Sequence, residues 1–237
     1  MTGPDYNALN IRGFLKQKQE GFFVFRTRGL CGNYTKEQLL AIVEISKKYG
    51  NGIMHNTTRQ GIEIPFIKFE DIENAEHDLQ SAGILPGTSG SRIRATTCCP
   101  GNNWCPRGLV NTFKLFDRIE NELNLKCGMD LPHKLKMAIS GCPNICTRAQ
   151  ASDIGIHGQV DTSAKEKRIG YVVYLGGSGG RTPRTGIKLE NVFSEEEALS
   201  IIKGVVSFYK DNAKPRQRLG LLIDEIGIEA FLKKIGL

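Results

Sequence analysis

No apolar run in the 237 residues approaches the roughly 20 that a helix needs to cross a bilayer. From Met1 to Leu15 there is no hydrophobic segment of the secretory type, so a cytoplasmic protein without a membrane partner is expected. The formal net charge is +7, yet no long Lys/Arg run carries it and the aromatics do not interleave with basic residues in a stripe. Nucleic acid is therefore not the expected partner. The glycine-rich stretch GGSGGRTPRTG lacks the Lys-Ser/Thr ending of a P-loop, which disfavours nucleotide binding. There is no internal repeat and no low-complexity segment, and 40% hydrophobic with 24% charged residues argues against disorder. What remains for the excess positive charge is a small anionic substrate, a polycarboxylate cofactor or an acidic protein.

The length suits one large domain or two small ones. GFFVFRTR, Gly21 to Arg28, alternates and is rich in aromatics, which predicts a strand. Thr35 and Gln38 form a capping box for a helix through Lys48, with Leu39, Ile42 and Val43 as its apolar stripe and Gly50 and Gly52 at its end. A β segment over Ile53–Ile67 and a helix over Phe69–Ala82 complete an α+β unit, residues 1–88, with its helices on one face. In residues 89–237 the expected elements are a helix over Leu109–Leu123, a short strand over Leu135–Ser140 and a strand over Ile169–Leu175. Ser194 and Glu197 then open a helix through Tyr209, with Ala198, Ile201, Ile202 and Val205 inward, and a last helical stretch covers Arg218–Lys234.

Seven cysteines are many for an intracellular chain, and an odd number fits a complete disulfide framework poorly. Six fall between positions 98 and 146, most of them in two tight groups, TTCCPGNNWCPRG and SGCPNICTRAQ. Cys99 and Cys105 are separated by five residues, Cys142 and Cys146 by three. A [4Fe–4S] cluster needs four thiolates converging from separate loops, and Gly and Pro beside the ligands let the backbone turn sharply around it. Cys142 directly follows a strand, and a helical turn to Cys146 would bring both sulfurs to one point. A structural zinc site is the alternative: its usual spacing fits the second pair but not the first. Cys98 could substitute for Cys99, whereas the isolated Cys31 and Cys127 read as free buried thiols.

The order C-x5-C followed by SGCPN-x-C resembles the cluster signature of the nitrite and sulfite reductases. The similarity extends over nearly the whole chain through TTRQ, the cysteine loops, the GG-x-GGR loop and the C-terminal helices. It implies a ferredoxin-like half-domain followed by a sirohaem and [4Fe–4S]-binding α+β domain. Cys99, Cys105, Cys142 and Cys146 would hold the cluster, and Cys146 would also be the axial ligand bridging to sirohaem. Arg59 in TTRQ and the pair Lys134 and Lys136 in PHKLKM match substrate-contacting cations of the family, and Arg94 matches them with Arg92 close by. Period-two spacing places both lysines on one face of a strand. Alone, each cation reads as a solvated surface charge; position relative to the cysteines sets them apart. Arg181 and Arg184, with Gly177 and Gly180, stand where backbone N–H groups could approach sirohaem carboxylates.

The implied activity is reduction of sulfite to sulfide, with nitrite reduction to ammonia or a non-catalytic electron-transfer module as alternatives. Small single-copy sulfite reductases of assimilatory type are the nearest in size. No further ferredoxin-type cysteine run is present, so an external, ferredoxin-like donor is expected. Larger members carry two homologous halves, and this chain carries both cluster cysteines and cations in one copy. A homodimer or higher homo-oligomer is the expected assembly, with Cys146 of one subunit facing Arg59, Lys134 and Lys136 of the other.

Overall fold

In a computed structural model of the chain, residues 4–162 and 167–237 are described; the first three positions of the Met1–Leu15 stretch lie outside them. The backbone divides into two compact units, Met1–Gly90 and Ser91–Leu237.

Alternation in GFFVFR produces β2, Phe22–Arg26, along which Phe23 and Phe25 are buried and their neighbours less so. β2 pairs antiparallel with β1, Phe14–Lys16, and with β4, Ile62–Lys68, which in turn pairs with the two-residue β3, His55–Asn56. The sheet order is β1-β2-β4-β3. β1, only three residues long and preceded by α1, Tyr6–Ile11, is too short to show a period and was not expected. α2, Lys36–Tyr49, starts at the capping box, where Gln38 N–H donates to Thr35 Oγ1 at 3.2 Å and Thr35 N–H to Gln38 Oε1 at 3.1 Å. Its buried side is Ile42, Ile45 and Ser46; Leu39, expected inward, is 43% exposed. α3, Ile72–Ser81, follows a 3-10 turn. Ile42, Ile45, Ile72 and Leu79 share one core with Phe14, Phe23, Phe25 and Ile64, so both helices close over the sheet.

The second unit is built on a five-stranded sheet of order β5-β6-β7-β8-β9. β5, Thr97–Cys98, β6, Met137–Ser140, and β7, Ile154–Asp161, are parallel; β8, Arg168–Leu175, and β9, Ile187–Lys188, continue antiparallel. β7 was not expected. Its first five residues are all buried, and a strand covered on both faces loses the alternation that marks strands in sequence. The helix expected over Leu109–Leu123 starts later, as α4, Thr112–Asp117, capped by Asn111 and continued by a π-helical turn at Arg118–Glu122. Leu109 and Val110 are instead engaged by Gly141, whose carbonyl accepts both their N–H groups at 2.8 and 3.4 Å. α5, Glu195–Asn212, begins at the Ser194–Glu197 box and buries Ala198, Ile201, Ile202 and Val205. The final stretch is two helices, α6, Leu219–Ile226, and α7, Ile228–Lys234, separated by Gly227 at φ +85°. Among the described residues no helix is long and apolar enough to cross a membrane.

Candidate functional site

β5 and β6 lie side by side in parallel, so their C-terminal ends open at the same edge, and both cysteine groups leave from those ends. Thr97 pairs with Ala138 and Cys98 with Ile139, after which Cys99 N–H donates to Ile139 O at 3.1 Å. The alternation of β5 separates the adjacent cysteines. Cys98 is buried in the sheet, whereas Cys99 Sγ accepts the N–H of Gly141 at 3.0 Å from the second loop. Cys105 N–H returns to Gly101 O at 3.1 Å, closing the first loop tightly.

Three glycines hold the loops together. A Cβ on Gly108 would stand 2.2 Å from Gly101 C, and one on Gly141 would stand 2.5 Å from Gly101 Cα. Backbone thus meets backbone where the two cysteine groups converge. The segment from Cys142 to Cys146 is not the helical turn expected from spacing. Ile145 and Arg148 sit at φ +49° and +56°, and two successive turns run Ile145 N–H to Cys142 O and Arg148 N–H to Ile145 O. The result leaves Cys146 exposed while Cys142 is buried and Cys99 and Cys105 half-buried. Cys31 is buried, and Cys127, expected buried, is only half so. Among the described residues no three His, Cys, Asp or Glu stand close enough to hold a single metal ion.

Of the predicted cations of this unit, Lys134, Lys136 and Arg94 lie toward the other end of β6. Leu135 makes a parallel bridge with Ile93, so Lys134 and Lys136 flank a fully buried residue in extended chain just before β6 begins at Met137. Arg92 and Arg94 separate in role. Arg92 is 6% exposed and paired with Asp130 at 2.9 Å, whereas Arg94 lies near His133. His133 is held below the ordinary histidine range, by burial first and then by Lys134, Arg218, Arg94 and Arg216. Its imidazole is neutral at neutral pH, in a field set by four cations. Arg216 and Arg218 carried no motif in sequence; the fold brings them in from the arm before α6.

In the glycine-rich loop, Gly177 packs on Gln150 O and Ser152 O, where a Cβ would stand 2.5 and 2.6 Å away. Arg184 is forked onto Asp224, with Nη2 to Oδ1 at 2.9 Å, and Arg181 is exposed beside Gly180, at φ +155°. Three buried polar atoms, Thr96 Oγ1, His133 Nδ1 and Gln150 Oε1, have no hydrogen-bond partner among the described residues. Such atoms are rare unless a bound group completes them. Two cysteine loops leaving one sheet edge, cations and unmet polar atoms fit an iron–sulfur cluster and a polycarboxylate tetrapyrrole. In the first unit, Arg59 stands on the β3–β4 turn, where Thr57 Oγ1 accepts the N–H of Arg59 at 3.3 Å and of Gly61 at 3.1 Å. A separate cavity of about 510 Å³, lined by Asp161, Arg168, Lys188, Phe193 and others, contains none of the predicted site residues, and its Arg168 is bound to Asp161.

Comparison with known proteins gives two family matches. The nitrite and sulphite reductase 4Fe-4S domain matches residues 89–237, and the nitrite/sulfite reductase ferredoxin-like half domain matches residues 15–82. The coenzyme F420-dependent sulfite reductase of Methanocaldococcus jannaschii is 30% identical, over 94% of this chain and 44% of that relative. The assimilatory-type sulfite reductase of Nitratidesulfovibrio vulgaris is 28% identical, over 94% of this chain and 97% of the relative. The chain therefore spans under half of the first and nearly all of the second. The crystal structure of dissimilatory sulfite reductase I superposes with a TM-score of 0.79 at 16% identity, over 91% of this chain and 69% of that one, a likeness of fold.

A methyl group at Gly141 must push the cysteine loops apart. Gly141→Ala is therefore expected to lower iron and acid-labile sulfide per chain severalfold in anaerobically purified protein. Gly179→Ala, in the glycine-rich loop with nothing within 4 Å, is the control and should retain both. Full iron retention in Gly141→Ala would contradict this account of the loops.

Proposed function

The chain belongs to the nitrite and sulphite reductase family, and from that premise we propose that it reduces sulfite to sulfide with electrons from an external, ferredoxin-like donor. Sirohaem and a [4Fe–4S] cluster, the cofactors of this family, supply when bound the electron path and the iron at which the oxyanion reacts. Cys99, Cys105, Cys142 and Cys146 are assigned to the cluster. The bond from Gly141 N–H supports Cys99 over Cys98, and its exposure supports Cys146 as the thiolate shared with the sirohaem iron. Lys134, Lys136, Arg94 and Arg59 are assigned to the anion. They hold it, offset negative charge as it develops and pass protons to oxygens that leave as water. Arg181, with the backbone at Gly177 and Gly180, is assigned to sirohaem carboxylates. Arg184, already paired with Asp224, serves to fix that loop to α6.

The observation that carries the reading is the use of one strand for both jobs. β6 is entered through the two lysines and left through Gly141 and Cys142. At about 3.3 Å per residue, Lys136 and Gly141 are roughly 17 Å apart along the strand. An anion held by the lysines would have to bridge that separation to reach an iron beside Cys146 of the same copy. A homodimer in which the lysines of one copy face Cys146 of the other resolves this. Light scattering on cofactor-loaded, active enzyme is expected to give a mass of at least two chains. Full activity in a species with the mass of one chain would remove the arrangement.

The reading favours sulfite over nitrite because sulfite can carry a second negative charge, which a second ammonium group would meet. A charge-assisted hydrogen bond contributes about 1.5–3 kcal/mol. Lys136→Asn is thus expected to raise nitrite turnover relative to sulfite by roughly tenfold or more, at kcat/KM with one donor. An unchanged ratio would count against Lys136 as the discriminating residue, and a wild-type preference for nitrite would replace sulfite as substrate. A loaded protein that turns over neither anion with any donor would indicate an electron-transfer module.

A further inference from the structure

The stretch Pro132–Lys136 is gripped from both sides. On one side Leu135 N–H donates to Arg92 O at 3.1 Å, and Leu135 O accepts Arg94 N–H at 2.9 Å. On the other, Arg216 N–H donates to Pro132 O at 2.9 Å and Ile154 N–H to Lys136 O at 3.1 Å. The Lys136 N–H itself goes to a side chain, Asp153 Oδ2, at 2.8 Å.

Asp153 is an unusual residue to spend on a main-chain amide. Its side chain is 1% exposed, and burial pushes its carboxyl pKa up, against the pull of Arg218 and of the Lys136 N–H. Arg218 forks onto it, with Nε and Nη2 on Oδ1 at 3.0 and 2.7 Å and Nη2 on Oδ2 at 2.8 Å. The carboxylate is fully used, as a buried charge must be. Asp153 O also accepts Gly176 N–H at 2.8 Å, which ties the same residue to the end of β8. A neutral carbonyl could have met the Lys136 amide. The forked pair instead fixes it against a group with no rotational freedom left, and anchors that group on the residue that caps α6.

We propose that Asp153 and Arg218 are positioning residues for Lys134 and Lys136. The buried pair sets the rotation of the Lys136 peptide and with it the line along which both ammonium groups meet the anion. Neither residue touches the anion itself. The inference rests on the assignment of the lysines to the oxyanion made above. It adds that their placement depends on a contact between two residues 65 apart in sequence that no motif announces.

The test is a double-mutant cycle read as sulfite affinity, by optical titration of the oxidised, loaded protein. Asp153→Asn keeps the shape and an acceptor but removes the charge that holds Arg218. Alone it is expected to weaken sulfite by about tenfold, and by less than about twofold when Lys134 and Lys136 are already alanine. Hydrogen exchange should show faster exchange across residues 132–137 in Asp153→Asn, with β7 and β8 still protected. Arg218→Lys, which keeps a cation on Asp153 but loses the fork, should show a smaller loss and covers the case in which Asp153→Asn does not fold. Equal losses in both backgrounds would overturn the positioning role while leaving the lysines as anion ligands. Unchanged affinity on replacing the lysines themselves would overturn the assignment of the lysines, and this inference with it.

Discussion

Everything at the cysteine centre depends on the parallel pairing of β5 with β6. Two neighbouring strands that run the same way release their following loops at one edge of the sheet, and here both loops carry cysteines. The pairing alone would leave them a strand spacing apart, about 4.8 Å between backbones. Gly101, Gly108 and Gly141 remove the side chains that would keep the loops from closing further. The bond from Gly141 N–H to Cys99 Sγ then joins one loop's backbone to the other's sulfur. Four thiolates brought together would repel one another, and donors on sulfur together with bound iron are what make such an assembly stable. The sheet is therefore less a core that happens to bear ligands than the device that aims them.

The positive charge of the chain has a comparable economy. Many of its arginines are engaged in structure: Arg92 on Asp130, Arg118 on Glu195 and Glu196, Arg184 on Asp224 and Arg218 on Asp153. Against that background the lysines before β6 stand out, because Arg94 and Arg216 lie near them, and burial first and then these charges hold His133 below the ordinary histidine range. Like charges gathered in one place raise the energy of the folded chain unless an anion is there to receive them. A site of this kind suits a small oxyanion reduced at an iron centre, and it explains a basic protein without invoking nucleic acid.

Much of this was legible in the sequence where chemistry is local. The two capping boxes placed the starts of α2 and α5, alternation placed β2, and the apolar run IGYVVYL marked β8. The order of the cysteines and the SGCPN-x-C context carried the resemblance to the family whose 4Fe-4S domain matches residues 89–237. What failed did so for physical reasons. Leu39 belongs to an amphipathic helix, but the face that meets the sheet is turned to Ile42 and Ile45, which a stripe read from one side does not reveal. β7 is buried on both faces and does not alternate. Leu109 and Val110 look helical yet give their N–H groups to Gly141 O, a partner 32 and 31 residues away. The turn from Cys142 to Cys146 depends on left-handed Ile145, a conformation that isoleucine does not advertise. Asp153, Arg216 and Arg218 became visible only once the arm before α6 was seen to reach the lysines.

The central claim is that four cysteines aimed by β5 and β6 serve a sirohaem reductase open to a small oxyanion. Its most direct test is the absorption spectrum of protein purified without oxygen from a sirohaem-producing host, recorded before and after sulfite is added. The account predicts sirohaem bands that shift with sulfite, together with iron and labile sulfide in amounts that match one cluster per chain. A colourless protein carrying zinc in place of iron would contradict it and return the cysteines to a structural role.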